Sequence, residues 1–143
     1  MKSFQYRISI EIEVPRQKMV ETLMDYTQFV NYQEPPLKGY TLRQGQYLEK
    51  GAIVDLVYLY KNNEIHMTEV TVAIDLPHSI HQLYMLGEVK NHCISHFIES
   101  KKGTVWTMDV TFQFPKDENQ NKFDFMKKTE EDMVTFKHYV ENI

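Results

Sequence analysis

The chain has 143 residues, 42% of them hydrophobic, and a net charge of −4 with a pI near 5.8. This length suits one domain over residues 1–143, because a domain near this size hides roughly 68–70% of its unfolded surface, and an acidic chain lacks the basic surface that binds nucleic acid. The single cysteine, Cys93, excludes an internal disulfide. No apolar run approaches the roughly 18 residues of a membrane span, so we expect no integral membrane association. Because the N-terminus does not resemble a secretory signal, we expect a cytoplasmic protein.

The N-terminal segment alternates apolar and polar residues, which predicts a strand with one face in the core and one in water. Its apolar positions are Phe4, Tyr6, Ile8, Ile10, Ile12 and Val14. Pro15 then suits the first turn of a short helix. The apolar face of that helix is Met19, Val20, Leu23 and Met24. Asp25 and Gln28 are spaced as in a capping box and predict a second short helix, which Pro35 and Pro36 end.

From Gly39 onward, turn-forming residues divide the chain into six predicted strands. The turns fall at residues 49–51, 61–64, 76–77, 86–87 and 100–103. In the last strand one face is Trp106, Met108, Val110, Phe112 and Phe114. The middle strands are ambiguous, because Val54, Leu56, Tyr58 and Tyr60 alternate with residues that are also largely apolar, so either face could be the inner one.

A polar link over residues 115–122 leads to a long helix predicted over residues 123–143. Apolar positions recur there at spacings of three and four, which places them on one side of an α-helix. They are Met126, Met133, Phe136, Val140 and Ile143, and Thr129 is the one polar residue of the same stripe. A helix of this length extends about 30 Å and is long enough to cross a sheet of six strands at about 4.8 Å each.

Several short segments occur in a distinctive order along the chain. They are the strand over residues 8–14 that leads into Pro15 and residues 19–23, Gly51 at a strand start, Leu76-Pro77 within the sheet, Lys102-Gly103-Thr104 before the last strand, and residues 133–141. In this order the chain resembles, over nearly its whole length, the helix-grip fold of the START-like superfamily (SRPBCC). The resemblance implies an α+β fold of order β-α-α-β-β-β-β-β-β-α, in which a seven-stranded curved antiparallel sheet grips the C-terminal helix. The alternative is the cystatin-like or nuclear-transport-factor-like arrangement, in which the long helix comes early.

Members of that superfamily hold an apolar ligand between the sheet and the long helix, so the resemblance implies binding or transport of a lipid, isoprenoid or aromatic molecule. No cofactor is expected, and the oligomeric state stays open. The candidate ligand-binding residues are Tyr58, Tyr60, Tyr84, Trp106, Met108, Met126, Thr129 and Met133. Bulky side chains could instead fill the space. Two alternatives therefore remain: an enzyme of polyketide cyclase or dehydratase type, and a co-chaperone-like interaction module with a filled core.

No catalytic or metal-binding motif is found in the sequence. His92 and His96 would lie about 13 Å apart on a strand, too far to bind one ion, and Cys93 is interpreted as a small core residue. Acid–base chemistry would need Glu69 or Asp55 on the inner face of the sheet, and the favoured interpretation places both in solvent. For Thr129 we expect a hydrogen bond to the carbonyl four residues earlier.

Overall fold

The computed structural model describes residues 2–116 and 120–143, so residues 117–119 of the predicted polar link lie outside the described residues. The element bounds are β1 Lys2–Ile12, α1 Arg16–Leu23, a 3₁₀ helix Tyr26–Asn31, β2 Leu37–Gln44, β3 Ile53–Tyr60, β4 Asn63–Asp75, β5 Ser79–Leu86, β6 Val89–Glu99, β7 Thr104–Phe114 and α2 Lys122–Val140. The predicted order of one strand, two short helices, six strands and a long helix is confirmed.

The seven strands form one curved antiparallel sheet in the order β1-β7-β6-β5-β4-β3-β2. Strands β2 to β7 follow one another as a meander, and β1 closes the far side by pairing along its length with β7. Helix α2 packs on the inner face, where Met133, Phe136 and Val140 are at most 1% exposed. The α+β helix-grip fold is therefore confirmed. Among the described residues, none of the helices is long and apolar enough to cross a membrane.

The alternation predicted for β1 is confirmed, since Tyr6, Ile8 and Ile12 are buried, Phe4 and Ile10 are half-buried, and the polar residues that alternate with them are exposed. In β3 the inner face is the one with Val54 and Leu56, which are 2% and 1% exposed. The sequence could not decide this, because the opposite face of β3 is also rich in apolar residues.

The segment after α1 differs from the expectation in two ways. The second short helix is a 3₁₀ helix, and the capping box is only half formed. The Asp25 side chain accepts from the Thr27 backbone N–H at 3.0 Å, which caps this helix as expected. The side-chain amide of Gln28 donates to the Asp25 carboxylate at 3.2 Å, whereas a capping box would bring the Gln28 side chain to the Asp25 backbone N–H. That N–H bonds to the Thr22 carbonyl instead.

Helix α2 ends at Val140, three residues before the predicted end, and Ile143 is 54% exposed beyond it. Asn121 caps its first turn by accepting from the Phe123 backbone N–H at 2.9 Å. Nineteen residues at about 1.5 Å each give a rod of about 28 Å, which is long enough to lie across the sheet.

The buried apolar residues form two clusters. The larger joins β1, α1, β5, β6, β7 and α2, and the smaller joins Phe29, Leu37, Val54 and Leu56 at the β2–β3 side. A cavity is lined by members of both clusters. It is therefore bounded by the sheet, the 3₁₀ segment and α2.

Candidate functional site

The cavity has a volume of about 440 Å³. Its floor is the inner face of β3 to β7, one wall is the segment from α1 through the 3₁₀ helix, and the other wall is α2. This volume lies within the range of about 300–1,000 Å³ that is usual for small-molecule sites.

Six of the eight candidate ligand-binding residues line the cavity. They are Tyr58, Tyr84, Trp106, Met108, Thr129 and Met133. Tyr60 does not line it, because it lies at the end of β3 with 49% exposure. Met126 packs against the larger core cluster instead. A ligand-binding role for the six stays a prediction.

The apolar wall is held by packing and one buried hydrogen bond. Trp106 meets Phe136 edge to face with ring centroids 5.6 Å apart, and its indole N–H donates to Ser95 Oγ at 3.1 Å. Tyr32 in turn packs edge to face on Phe136 at 5.1 Å. The aromatic wall is therefore braced on both the sheet side and the helix side.

Glu69 is the buried acidic residue of the cavity wall. It is 2% exposed, because its partner in the β3–β4 register is Val54, an inner-face residue. The Tyr26 hydroxyl donates to Glu69 Oε1, and the Gln82 side-chain amide donates to Oε2 at 3.3 Å. Burial raises the pKa of the Glu69 carboxyl, and hydrogen bonds from Tyr26 and Tyr84 oppose that rise. The expectation that Glu69 faces solvent was wrong, since β4 turns that face inward.

Asp55 does face outward, as expected, and its carboxylate lies 3.1 Å from Arg43 Nη1. The two residues, with His66, border a second depression of about 430 Å³. Its described lining includes no Phe, Tyr or Trp side chain and its ion pair is well exposed, so the aromatic cavity under α2 is the stronger candidate site.

The tyrosine hydroxyls of the cavity stay protonated at neutral pH. Burial is the largest cause that raises the pKa values of Tyr26, Tyr58 and Tyr84, and the nearby Glu69 carboxylate raises each of them further. A hydroxyl that keeps its proton can donate a hydrogen bond. The cavity therefore offers neutral donors next to one carboxyl group.

Cys93 faces the cavity, and its thiol donates to Asn91 Oδ1 at 3.5 Å. Burial raises the pKa of this thiol to about 12, so it holds almost no reactive thiolate near pH 7. His92 lies on the opposite face of β6, where its Nδ1 is 3.0 Å from His81 Nε2. Over residues 2–116 and 120–143, no group of three or more His, Cys, Asp or Glu side chains is placed to hold a metal ion.

Thr129 does not make the predicted bond to its own helix. Its hydroxyl lies 2.7 Å from the Tyr6 hydroxyl, which also donates to the Phe125 carbonyl at 3.3 Å. Tyr6 of β1 therefore donates to the Phe125 carbonyl, which is the group that Thr129 was expected to reach. This contact links α2 to β1 beside the cavity.

Two polar atoms on the cavity side of the 3₁₀ segment are buried without a hydrogen-bond partner in the described chain. They are the Tyr32 hydroxyl and Gln33 Oε1, and both residues line the cavity. Sequence reasoning missed them, as it missed Tyr26 and Gln82. Only the folded chain brings Tyr26 and Gln82 to Glu69, across 43 and 13 positions of sequence. Tyr32 and Gln33 line the same cavity from 37 and 36 positions away, so no local pattern marked any of the four.

Comparison with known proteins places the fold in context. No family model and no curated protein matches the sequence. Among solved structures, Ara h 8.0201 is similar with a TM-score of 0.81 and 13% identity, over 97% of this chain and 98% of that one. The major latex-like protein 151 from Panax ginseng has a TM-score of 0.74 and 14% identity, over 96% and 97%. A putative uncharacterized protein from Rhizobium leguminosarum has a TM-score of 0.75 and 16% identity, over 99% and 97%. At these identities the likeness establishes the helix-grip fold.

Proposed function

We propose that this protein binds a small, largely apolar molecule in the cavity between the sheet and helix α2. The observation that carries the proposal is the cavity of about 440 Å³, walled by aromatic and Met side chains with a few buried polar groups. Sites for small molecules are typically built in this way, with an apolar wall and a small number of placed polar atoms.

Two further features support binding. The Tyr32 hydroxyl and Gln33 Oε1 lack partners within the described chain, and a buried polar atom without a partner costs roughly 1–3 kcal/mol. A bound molecule that supplies the missing hydrogen bonds would recover part of that cost. The cavity volume also argues against the alternative of an interaction module with a filled core.

Trp106 gives a direct test, because it is the only tryptophan in the chain and it lines the cavity. Titration with fatty alcohols, isoprenoid alcohols and polycyclic aromatics is expected to change its fluorescence saturably for at least one class. Native mass spectrometry would then give the stoichiometry, which we expect to be one.

A matched pair of variants locates the binding. Cys93→Phe adds bulk inside the cavity, whereas Ile98→Phe places the same ring on β6 at a position that is 58% exposed. We expect Cys93→Phe to weaken binding by about tenfold or more and Ile98→Phe to bind like wild type, with circular dichroism confirming that both fold. Equal binding by the two variants, or no saturable binder in the panel, contradicts the proposal.

Glu69 also favours one second candidate, acid–base catalysis on the bound molecule. Its carboxyl lies in the cavity and its pKa is raised by burial, which is the setting in which a carboxyl group can exchange protons near neutral pH. Incubation of each identified binder with wild type and Glu69→Gln, followed by mass spectrometry, tests this function. Conversion by wild type alone supports catalysis, and an unchanged binder supports binding only.

A further inference from the structure

Glu69 is a buried acid with no basic partner. None of the ion pairs found in the described residues includes it, and the groups that contact its carboxyl are neutral: two tyrosine hydroxyls and one amide. A buried carboxylate is costly unless a positive charge pairs with it. The chain therefore places an acidic group on the cavity wall for which it supplies no cation.

Acidic residues outnumber basic ones on the rest of the cavity wall. Its charged lining residues are Glu34, Glu69, Asp132 and Lys128. The single basic residue, Lys128, is held by Asp132 Oδ1 at 2.7 Å and by the Glu34 carbonyl at 3.2 Å, with more than half of its side chain exposed. It lies at the rim and does not neutralise Glu69, so the wall is net acidic.

The hydrogen bonds around Glu69 leave room for one more donor. Tyr26 donates to one carboxylate oxygen, Gln82 donates to the other, and the Tyr84 hydroxyl also bonds the carboxyl group. A carboxylate can accept about four hydrogen bonds in all. Tyr84 lies directly opposite Glu69 in the β4–β5 register, and Tyr58 is near enough for the Glu69 carboxylate to raise its pKa. Aromatic faces attract cations, so the surroundings of Glu69 suit a positive group.

We propose that the molecule bound in this cavity carries a basic nitrogen, and that its protonated amine pairs with the Glu69 carboxylate while its apolar part lies against Trp106 and Met133. This inference rests on the proposed function and narrows it to lipophilic amines. It also predicts discrimination against fatty acids and other anionic lipids, whose carboxylates would meet the acidic wall.

Three probes that differ only in their head group test the proposal: phenylbutylamine, phenylbutanol and phenylbutanoate. Affinities are measured near neutral pH from Trp106 fluorescence and by isothermal titration calorimetry. For wild type we expect the amine to bind about tenfold or more tighter than the alcohol, and the carboxylate to bind weakest. Glu69→Gln should lose about tenfold or more in amine affinity, while its alcohol affinity changes by less than roughly twofold.

Glu130→Gln is the matched control, because Glu130 is exposed on α2 and does not line the cavity. It should keep the wild-type preference for the amine.

A measurement on wild type alone makes the test independent of the variants. Calorimetry in two buffers of different ionisation enthalpy should show release of a proton when the amine binds, because the ammonium favours the ionised form of Glu69, and no proton exchange when the alcohol binds.

The outcomes separate the two proposals. If the alcohol binds and the amine binds no tighter, the basic-nitrogen inference is wrong while the binding function stands. An amine preference that survives in Glu69→Gln also overturns the inference. If neither these probes nor the wider apolar panel bind, the binding function itself fails, and the inference fails with it.

Discussion

A carboxyl group in an apolar cavity makes stability depend on pH. Glu69 is 2% exposed, and burial raises the pKa of its carboxyl above the ordinary value of 4.5. Its protonated form is therefore favoured more in the folded chain than in the unfolded chain. The stabilisation that comes from this preference for the protonated carboxyl is fully present below pH 4.5. It is lost as the pH rises through the folded-state pKa of Glu69.

Replacing Glu69 by Gln removes this dependence, because an amide does not ionise. We expect the free energy of unfolding of wild type, relative to Glu69→Gln, to fall as the pH is raised from about 4 to 8. Urea denaturation of both proteins across this range measures the difference. The same comparison with Glu130→Gln should be flat, since Glu130 is exposed. A flat difference for Glu69→Gln would mean that its carboxyl is not desolvated in the folded chain.

At the scale of the elements, the β6–β7 hairpin is fitted closely against the end of β1. Thr104 is fully buried, and its hydroxyl donates to the Val14 carbonyl at 2.8 Å. The preceding residue, Gly103, has φ +156°, and a Cβ added there would lie 2.3 Å from the Ile12 carbonyl oxygen. Only glycine permits this approach of two backbones.

Gly103→Ala is therefore expected to destabilise the protein, by about 1–3 kcal/mol or more from backbone strain and displacement of β1. Gly39→Ala is the control, because a Cβ at that position meets nothing within 4 Å. It should change stability by no more than about 0.5 kcal/mol. Chemical denaturation gives both values, and equal effects at the two sites would contradict the close packing described for Gly103.

At the scale of the whole molecule, helix α2 joins the β1–β7 edge of the sheet to the segment after the 3₁₀ helix and forms a wall of the cavity. Its Phe136 packs on Trp106 of β7 and on Tyr32 of the segment after the 3₁₀ helix. At the strand next to β7, Lys137 Nζ donates to the Glu11 carbonyl of β1 at 3.0 Å. The cavity thus depends on α2 remaining docked.

Truncation of the same residue type at two positions in α2 tests this dependence. Phe136 is 1% exposed and Phe123 is 73% exposed. Phe136→Ala should lower the free energy of unfolding by about 3–5 kcal/mol, as is usual for a buried aromatic ring, and Phe123→Ala by no more than about 0.5 kcal/mol. Thermal and urea denaturation provide the measurement. Similar losses for both variants would show that α2 does not bury its Phe136 face.

Most of the architecture could be predicted because it is encoded locally. Alternation predicted β1 and β7, turn residues divided the meander, and the spacing of three and four predicted α2. The ends were less certain, as Ile143 shows by lying beyond the helix. Of the eight candidate ligand-binding residues, six line the cavity while Tyr60 and Met126 lie elsewhere, and a binding role for the six stays a prediction.

By itself, the sequence determined the elements of this protein, their order and the faces of its clearest strands, because those depend on periodicities between near neighbours. Only the tertiary structure decided which face of β3 and β4 is buried, and with it that Glu69 lies in the cavity beside Tyr26 and Gln82. The physical reason is that both faces of the middle strands are apolar enough to be buried. The choice between them is made by packing against α2 and the 3₁₀ segment, which are distant along the chain.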